Sequence, residues 1–245
     1  MRTMKTTFLS LVFVLIFVSS VSAQTKQLIL SDENLASQWQ LVNSKAENAW
    51  KVGTVVLDAN DPRHLVFSPL KEGDIPCLVN TVPGNWGQLK PRPGVDIYTK
   101  EKFGDCTVRL ELFLTKGSNS GVYLLGEYEV QVADSFGKPD DKLGQGDMGA
   151  IYSAAAPKTN ATAEAGTWQK YEIEFVAPKF DANGNKIANA LFKKITLNGK
   201  IVQENVEAKA PTGGGITMKE SATGPLMLQG NHGPVAYRNI EISQP

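Results

Sequence analysis

The sequence predicts an all-β fold, a single antiparallel β-sandwich or jelly roll. Three observations carry this. Segments of period-two alternation recur along most of the chain. Clusters of Gly, Asn, Asp and Pro separate them at short intervals. No long amphipathic helix interrupts the series.

In chain order, "SDENLASQWQ" gives one short helix, with Ser31 or Asp32 as its cap. "CTVRLELFL" (106–114) places Val108, Leu110, Leu112 and Leu114 on one strand face. "SGVYLLGEYEVQVADS" supplies two further strands, and "WQKYEIEFVA" another. "KKITLNGKIVQENV" is a hairpin turning on Asn198–Gly199. "FDANGNK" spaces Asp181, Asn183 and Asn185 like a calcium loop but lacks the downstream Glu, so it reads as a hairpin turn. "GPLMLQG" and "VAYRNIEIS" close the fold.

Ahead of these segments, Arg2 and Lys5 precede an apolar run from Phe8 to Val18 and the small residues "VSAQ". The pattern predicts a signal peptide over 1–23, cleaved after Ala23, and a periplasmic or secreted protein. One domain over 24–245 then remains, with no internal repeat or linker. The 245 residues hold 25 Lys and Arg against 25 Asp and Glu, so the chain offers no electrostatic footprint for nucleic acid. The leader's apolar stretch is too short for membrane insertion as a comfortable span. Cys77 and Cys106 could form one disulfide or stay as two separate core thiols.

Four stretches could carry chemistry. In "YEVQVADS", parity sets Glu129 and Gln131 on one face, with Tyr128 on the other. Asp134 shares the parity of Tyr128 and joins Glu129 only if the strand bends there. The plainest rival is a solvent-facing polar stripe. "QGNHGP" holds His232, one of two histidines, in a glycine-flanked turn, where it is either a surface residue or a proton-transfer group. "PGNWGQLKP" presents Trp86 and "SNSGVY" presents Asn119, both candidates for a sugar-binding rim. The pair "EYE" (Glu127 and Glu129) has the parity of a retaining glycosidase's carboxylates. There is no G-x-S-x-G, H-E-x-x-H, C-x-x-C or phosphate-loop motif.

Taken together, "NSGVY", the E-x-Q-x-x-D segment, the "PKTNA" loop and the ending "LQGNHGPVAYRNIEI" resemble the 3-keto-disaccharide hydrolase family, over about residue 30 to the C-terminus. The chain departs from that family in having Cys106 where an aromatic is usual, and Asn231 where Asp usually precedes the His. The resemblance implies a concanavalin A-like jelly roll acting on an oligosaccharide or glycoside oxidised to a ketone at C3. Such a ketone acidifies the C2 hydrogen, so a base can remove it, the enolate can expel the C1 oxygen, and water can add back. Carried onto this chain, the catalytic set is His232, Glu129, Asp134 and Arg238, with Gln131, Trp86, Asn119 and Tyr128 binding substrate. Arg238 or a divalent metal ion would serve as the electrophile at the ketone oxygen. The alternative is a non-catalytic carbohydrate-binding module on the same fold.

Overall fold

The computed structural model describes residues 24–28, 30–82 and 95–245. Two antiparallel sheets pack face to face. The larger runs, in spatial order, β14 (Lys200–Ala208), β13 (Ala190–Leu197), β10 (Gln169–Val176), β7 (Cys106–Leu114), β16 (Val235–Gln244), β5 (Cys77–Asn80), β3 (Trp50–Leu57) and β4 (Leu65–Ser68). β1 (Gln24–Gln27) pairs with the far half of β16. The smaller runs β2 (Trp39–Leu41), β6 (Ile97–Thr99), β15 (Met227–Leu228), β8 (Asn119–Leu124) and β9 (Tyr128–Ala133). The fold is an all-β antiparallel jelly-roll sandwich.

The core lies between the sheets. Val108, Leu110, Leu112 and Leu114 of β7 enter it on one parity, and Tyr128, Val130 and Val132 of β9 meet them from the smaller sheet. Tyr128 also packs against Phe175, ring centroids 5.6 Å apart. A second apolar cluster covers part of the larger sheet's other face, where Phe113, Val79, Cys77 and Ala236 lie under Trp168 and Phe67. Both cysteines are buried free thiols, Cys77 in this outer cluster and Cys106 in the core. Burial pushes Cys77 up to about 11 and Cys106 up to about 12, which keeps them inert.

Local chemistry explains the connections. Asn198 and Gly199 both take positive φ (52° and 79°), as a two-residue hairpin between β13 and β14 requires. The Asp181 carboxylate accepts from the backbone N–H groups of Asn183 (2.9 Å) and Asn185 (2.8 Å), closing the turn between β11 (Lys179–Phe180) and β12 (Lys186–Ala188). Helix α1 (Asp32–Gln38) is capped by Ser31, whose hydroxyl accepts from the Asn34 N–H. Among the described residues no helix is long and apolar enough to cross a membrane. The leader over 1–23 and Trp86 lie outside the described residues.

One irregularity matters for the site. Along β16 the pairing passes from Arg238 opposite Glu111 to Glu241 opposite Arg109, so Asn239 and Ile240 face one residue of β7. Asn239 takes φ of 52° to make this bulge. The bulge resets the alternation, so that Val235 and Tyr237 before it and Ile240 and Ile242 after it all reach the core.

Candidate active site

The smaller sheet's face away from the core carries a cleft of about 350 Å³. Its floor is β8 and β9. Asn119 and Tyr123 point into it from β8, and Glu129 and Gln131 from β9. The register sets Tyr123 directly opposite Glu129 and Gly121 opposite Gln131. Gly121 is what lets the carboxylate lie flat on the floor. A Cβ there would stand 2.3 Å from Glu129 Oε1, so any side chain would displace the acid.

The walls come from three loops. Gly213 and Gly214 form one side, and Tyr152 another. The third is the turn after β15, which brings Gln229 and His232. That turn is bound to both sheets. Asn80, at the end of β5, donates to the carbonyls of Gly230 (2.6 Å) and Gly233 (3.2 Å). Asp96, just before β6, accepts from the Gly230 N–H at 2.8 Å. Ser118 donates to the Pro234 carbonyl at 2.6 Å. His232 is thus held by its backbone while its ring stays exposed at the cleft mouth. The ring Nδ1 contacts Asn231 Oδ1. In the tautomer whose Nδ1–H donates to that oxygen, Nε2 keeps its lone pair.

The electrostatics separate the two titrating groups from their ordinary values. Burial pushes Glu129 up to about 7; a hydrogen bond from Tyr123 opposes this, and the negative charge of Asp96 adds to it. His232 moves down, because desolvation disfavours its cation more strongly than Asp96 favours it. Asp96 itself is raised by burial, with the Gly230 N–H and His232 pulling it back. Near neutral pH the cleft therefore holds a neutral imidazole beside a carboxyl group that is part protonated, the arrangement general acid–base chemistry needs.

Four of the eight candidate residues, His232, Glu129, Gln131 and Asn119, line this cleft. Three others do not. Arg238 projects from the opposite face of the larger sheet, where it pairs with Glu111 (2.7 and 2.8 Å) and lies 3.9 Å over the Trp168 ring. Its strand neighbour Tyr237 takes the core side, so alternation alone turns Arg238 outward. Tyr128 faces the core, and its hydroxyl donates to Glu220 at 2.6 Å. β9 does not bulge before Asp134; its carboxylate accepts from the Gly117 N–H at 2.7 Å and closes the turn ahead of β8. Asp96, Tyr123, Tyr152 and Gln229 are additions. Of these Tyr123 had a signal in sequence in its alternation with Asn119 in "NSGVY", and Gln229 stands in the quoted ending "LQGNHGP".

The "EYE" pair does not form a glycosidase dyad. The Glu127 carboxylate accepts from the Thr217 N–H (2.9 Å), the Thr217 hydroxyl (2.6 Å) and the Met218 N–H (2.9 Å), and so ties down the 212–218 loop. Among the described residues no group of three or more His, Cys, Asp and Glu side chains could hold a metal ion, so we assign no residue to one.

The sequence model of the 3-keto-alpha-glucoside-1,2-lyase-like domain matches residues 27–243. The chain belongs to that family. It is similar to two solved structures from Parabacteroides distasonis ATCC 8503, each of a candidate glycosyl hydrolase. One is 26% identical with a TM-score of 0.54, over 84% of this chain and 83% of that one. The other is 15% identical with a TM-score of 0.47, over 90% and 100%. A β-glucanase of Bacillus licheniformis is 11% identical with a TM-score of 0.42, over 93% and 100%. No curated protein matches the chain. Membership of the lyase-like family makes this a glycosyl-hydrolase-like, carbohydrate-active protein.

Proposed function

We propose that this protein cleaves the glycosidic bond of 3-keto-glycosides by elimination across C1 and C2. The observation that carries the reading is the pairing in one cleft of a neutral imidazole with a carboxyl group raised to about 7, while the nearby Asp96 carboxylate is engaged by the Gly230 N–H and Glu127 by the 212–218 loop. A displacement at C1 wants two free carboxyl groups flanking the bond. An α-proton abstraction wants one base and one acid of similar pKa, which His232 and Glu129 supply.

In this mechanism His232 Nε2 removes the C2 proton and the electron pair moves to the C3 oxygen as an enolate. Collapse of the enolate breaks the C1–O bond, and protonated Glu129 gives its proton to the departing oxygen. Water then adds at C1 and a proton returns to C2. With Arg238 bonded to Glu111 on the other sheet, the enolate oxygen has to be met from inside the cleft. The Asn119 carboxamide at the rim offers an N–H for it.

The test is turnover of 3-keto-trehalose against trehalose, with and without chelator. Release of glucose from the keto form alone, insensitive to chelator, is expected. Binding of both sugars without release would leave a carbohydrate-binding module in place of an enzyme, and release abolished by chelator would replace the protein-only mechanism with a metal-assisted one.

A further inference from the structure

Tyr152 stands between two cavities. It lines the cleft on β8 and β9 and also a second cavity of about 320 Å³. The two share one wall, since the consecutive residues Thr212 and Gly213 line one cavity each. The Tyr152 ring rests against this wall: a Cβ on Gly213 would come within 3.0 Å of its Cε1 atom. Even so, Tyr152 is 39% exposed, where Tyr123 on the cleft floor is 1% exposed. Ser153 after it takes a φ of 58°, and Ile151 before it bridges both Val130 and Ala155. A left-handed serine is kept only where its surroundings fix the backbone, so the turn holds the ring in place.

Across the floor the order runs β15, β8, β9 and then Ile151, bridged to Val130. The histidine turn follows β15 and Tyr152 follows Ile151, so the two stand at opposite edges of the cleft. Glu129 belongs to β9, and its backbone carbonyl accepts from the Tyr152 N–H at 3.2 Å. In the proposed elimination His232 works at C2 and Glu129 at the departing oxygen. The departing group therefore points towards Tyr152 and the cavity behind it. That cavity offers both halves of what a ring-shaped leaving group requires. Ala154, Ala208, Ala210 and Pro211 give it apolar surface, and Glu207 and Lys209 give groups that accept from and donate to hydroxyls. Its volume and the cleft's, about 350 Å³, each reach the roughly 300 Å³ at which ligand sites begin.

We infer that the second cavity is the leaving-group subsite, and that Tyr152 is the specificity-determining residue that stacks on the ring being expelled. This deepens the proposed function and rests on Glu129 as the acid at the leaving oxygen. The glycoside straddles Tyr152, with the oxidised ring on the His232 side and the departing ring on the far side. A ring with an apolar face buries that face on the tyrosine, whereas a methyl group is too small to reach past it and gains little from it.

Two measurements on the full chain test this. In the first, kcat/KM is compared for 3-keto-trehalose and methyl 3-keto-glucoside, so that the preference for a ring-bearing leaving group is read as a ratio. That ratio should fall about tenfold in Tyr152→Ala and stay within about twofold in Tyr152→Phe, which keeps the ring. In the second, trehalose is titrated into wild-type protein carrying isotope-labelled alanine methyls, read by NMR. The signals of Ala154, Ala208 and Ala210 should shift. A ratio unchanged in Tyr152→Ala, a ratio that falls equally in Tyr152→Phe, or silence at all three methyls would overturn the inference. The titration needs no variant, so a Tyr152→Ala chain that fails to fold leaves the test intact. Shifted methyls without turnover of either keto substrate would sink the proposed chemistry and leave a ring-binding site; turnover with silent methyls would sink this inference alone.

Discussion

His232 and Glu129 are displaced from their ordinary values in opposite directions, and this sets the pH dependence. His232 must be neutral to take a proton, so activity should fall on the acid side below its lowered pKa, which lies under the usual 6.5. Glu129 must be protonated to give one, so activity should fall on the alkaline side above about 7. The Asp96 charge raises both groups. Asp96→Asn should therefore move the whole bell in kcat/KM towards lower pH, and a bell that stays in place would remove Asp96 from the account. His232→Ala should lower turnover roughly 10²–10⁴-fold, measured as initial rates on a 3-keto-glycoside. Glu129 and Gln131 were legible as a pair from strand parity alone. Asp96 was not, because it reaches His232 only through the pairing of β6 with β15, more than a hundred residues apart in sequence. Arg238 misled for a related reason. It follows the histidine turn closely in the chain, but the next strand belongs to the other sheet.

At the level of elements, β8 and the 212–218 loop make opposite demands on their carboxylates. β8 gives Glu129 a bare glycine to rest on, and Gly121→Ala should push the carboxylate off the floor. Turnover should fall on the order of 10²-fold with the fold intact, since a displacement of about 1 Å is enough for a loss of that size. Near wild-type rates with intact melting would show that the placement of Glu129 is not critical. Glu127, which accepts three bonds from the loop, is structural here. Glu127→Gln should cost about 1–3 kcal/mol in urea unfolding while turnover stays within about tenfold. A larger catalytic loss with unchanged stability would restore the carboxylate dyad. Elements of this kind were readable where local chemistry decides them, as at Asn198–Gly199, Ser31 and the period-two run of β7. The wall formed by Gly213 and Gly214 was readable only as a turn, since nothing in "APTGGG" says that it folds back over Tyr123.

Over the whole molecule, the two sheets divide stability from chemistry. The larger sheet's outer face is held by Arg238 between Glu111 and Trp168, far from any reacting group. Arg238→Gln should therefore destabilise the protein by about 1–3 kcal/mol through the lost charge-assisted bond and ring contact. The folded fraction should keep its kcat/KM within about threefold. The smaller sheet carries the cleft, and its claim to elimination chemistry makes a demand on one carbon that no other route shares. In heavy water, brief reaction of a 3-keto-glycoside followed by quenching should give either an enone that has lost its C2 hydrogen or a hydrated 3-keto sugar carrying deuterium at C2. A parallel sample of the free 3-keto sugar would correct for spontaneous exchange. Product that retains its original C2 hydrogen would contradict the proposed mechanism, because displacement at C1 never touches that bond.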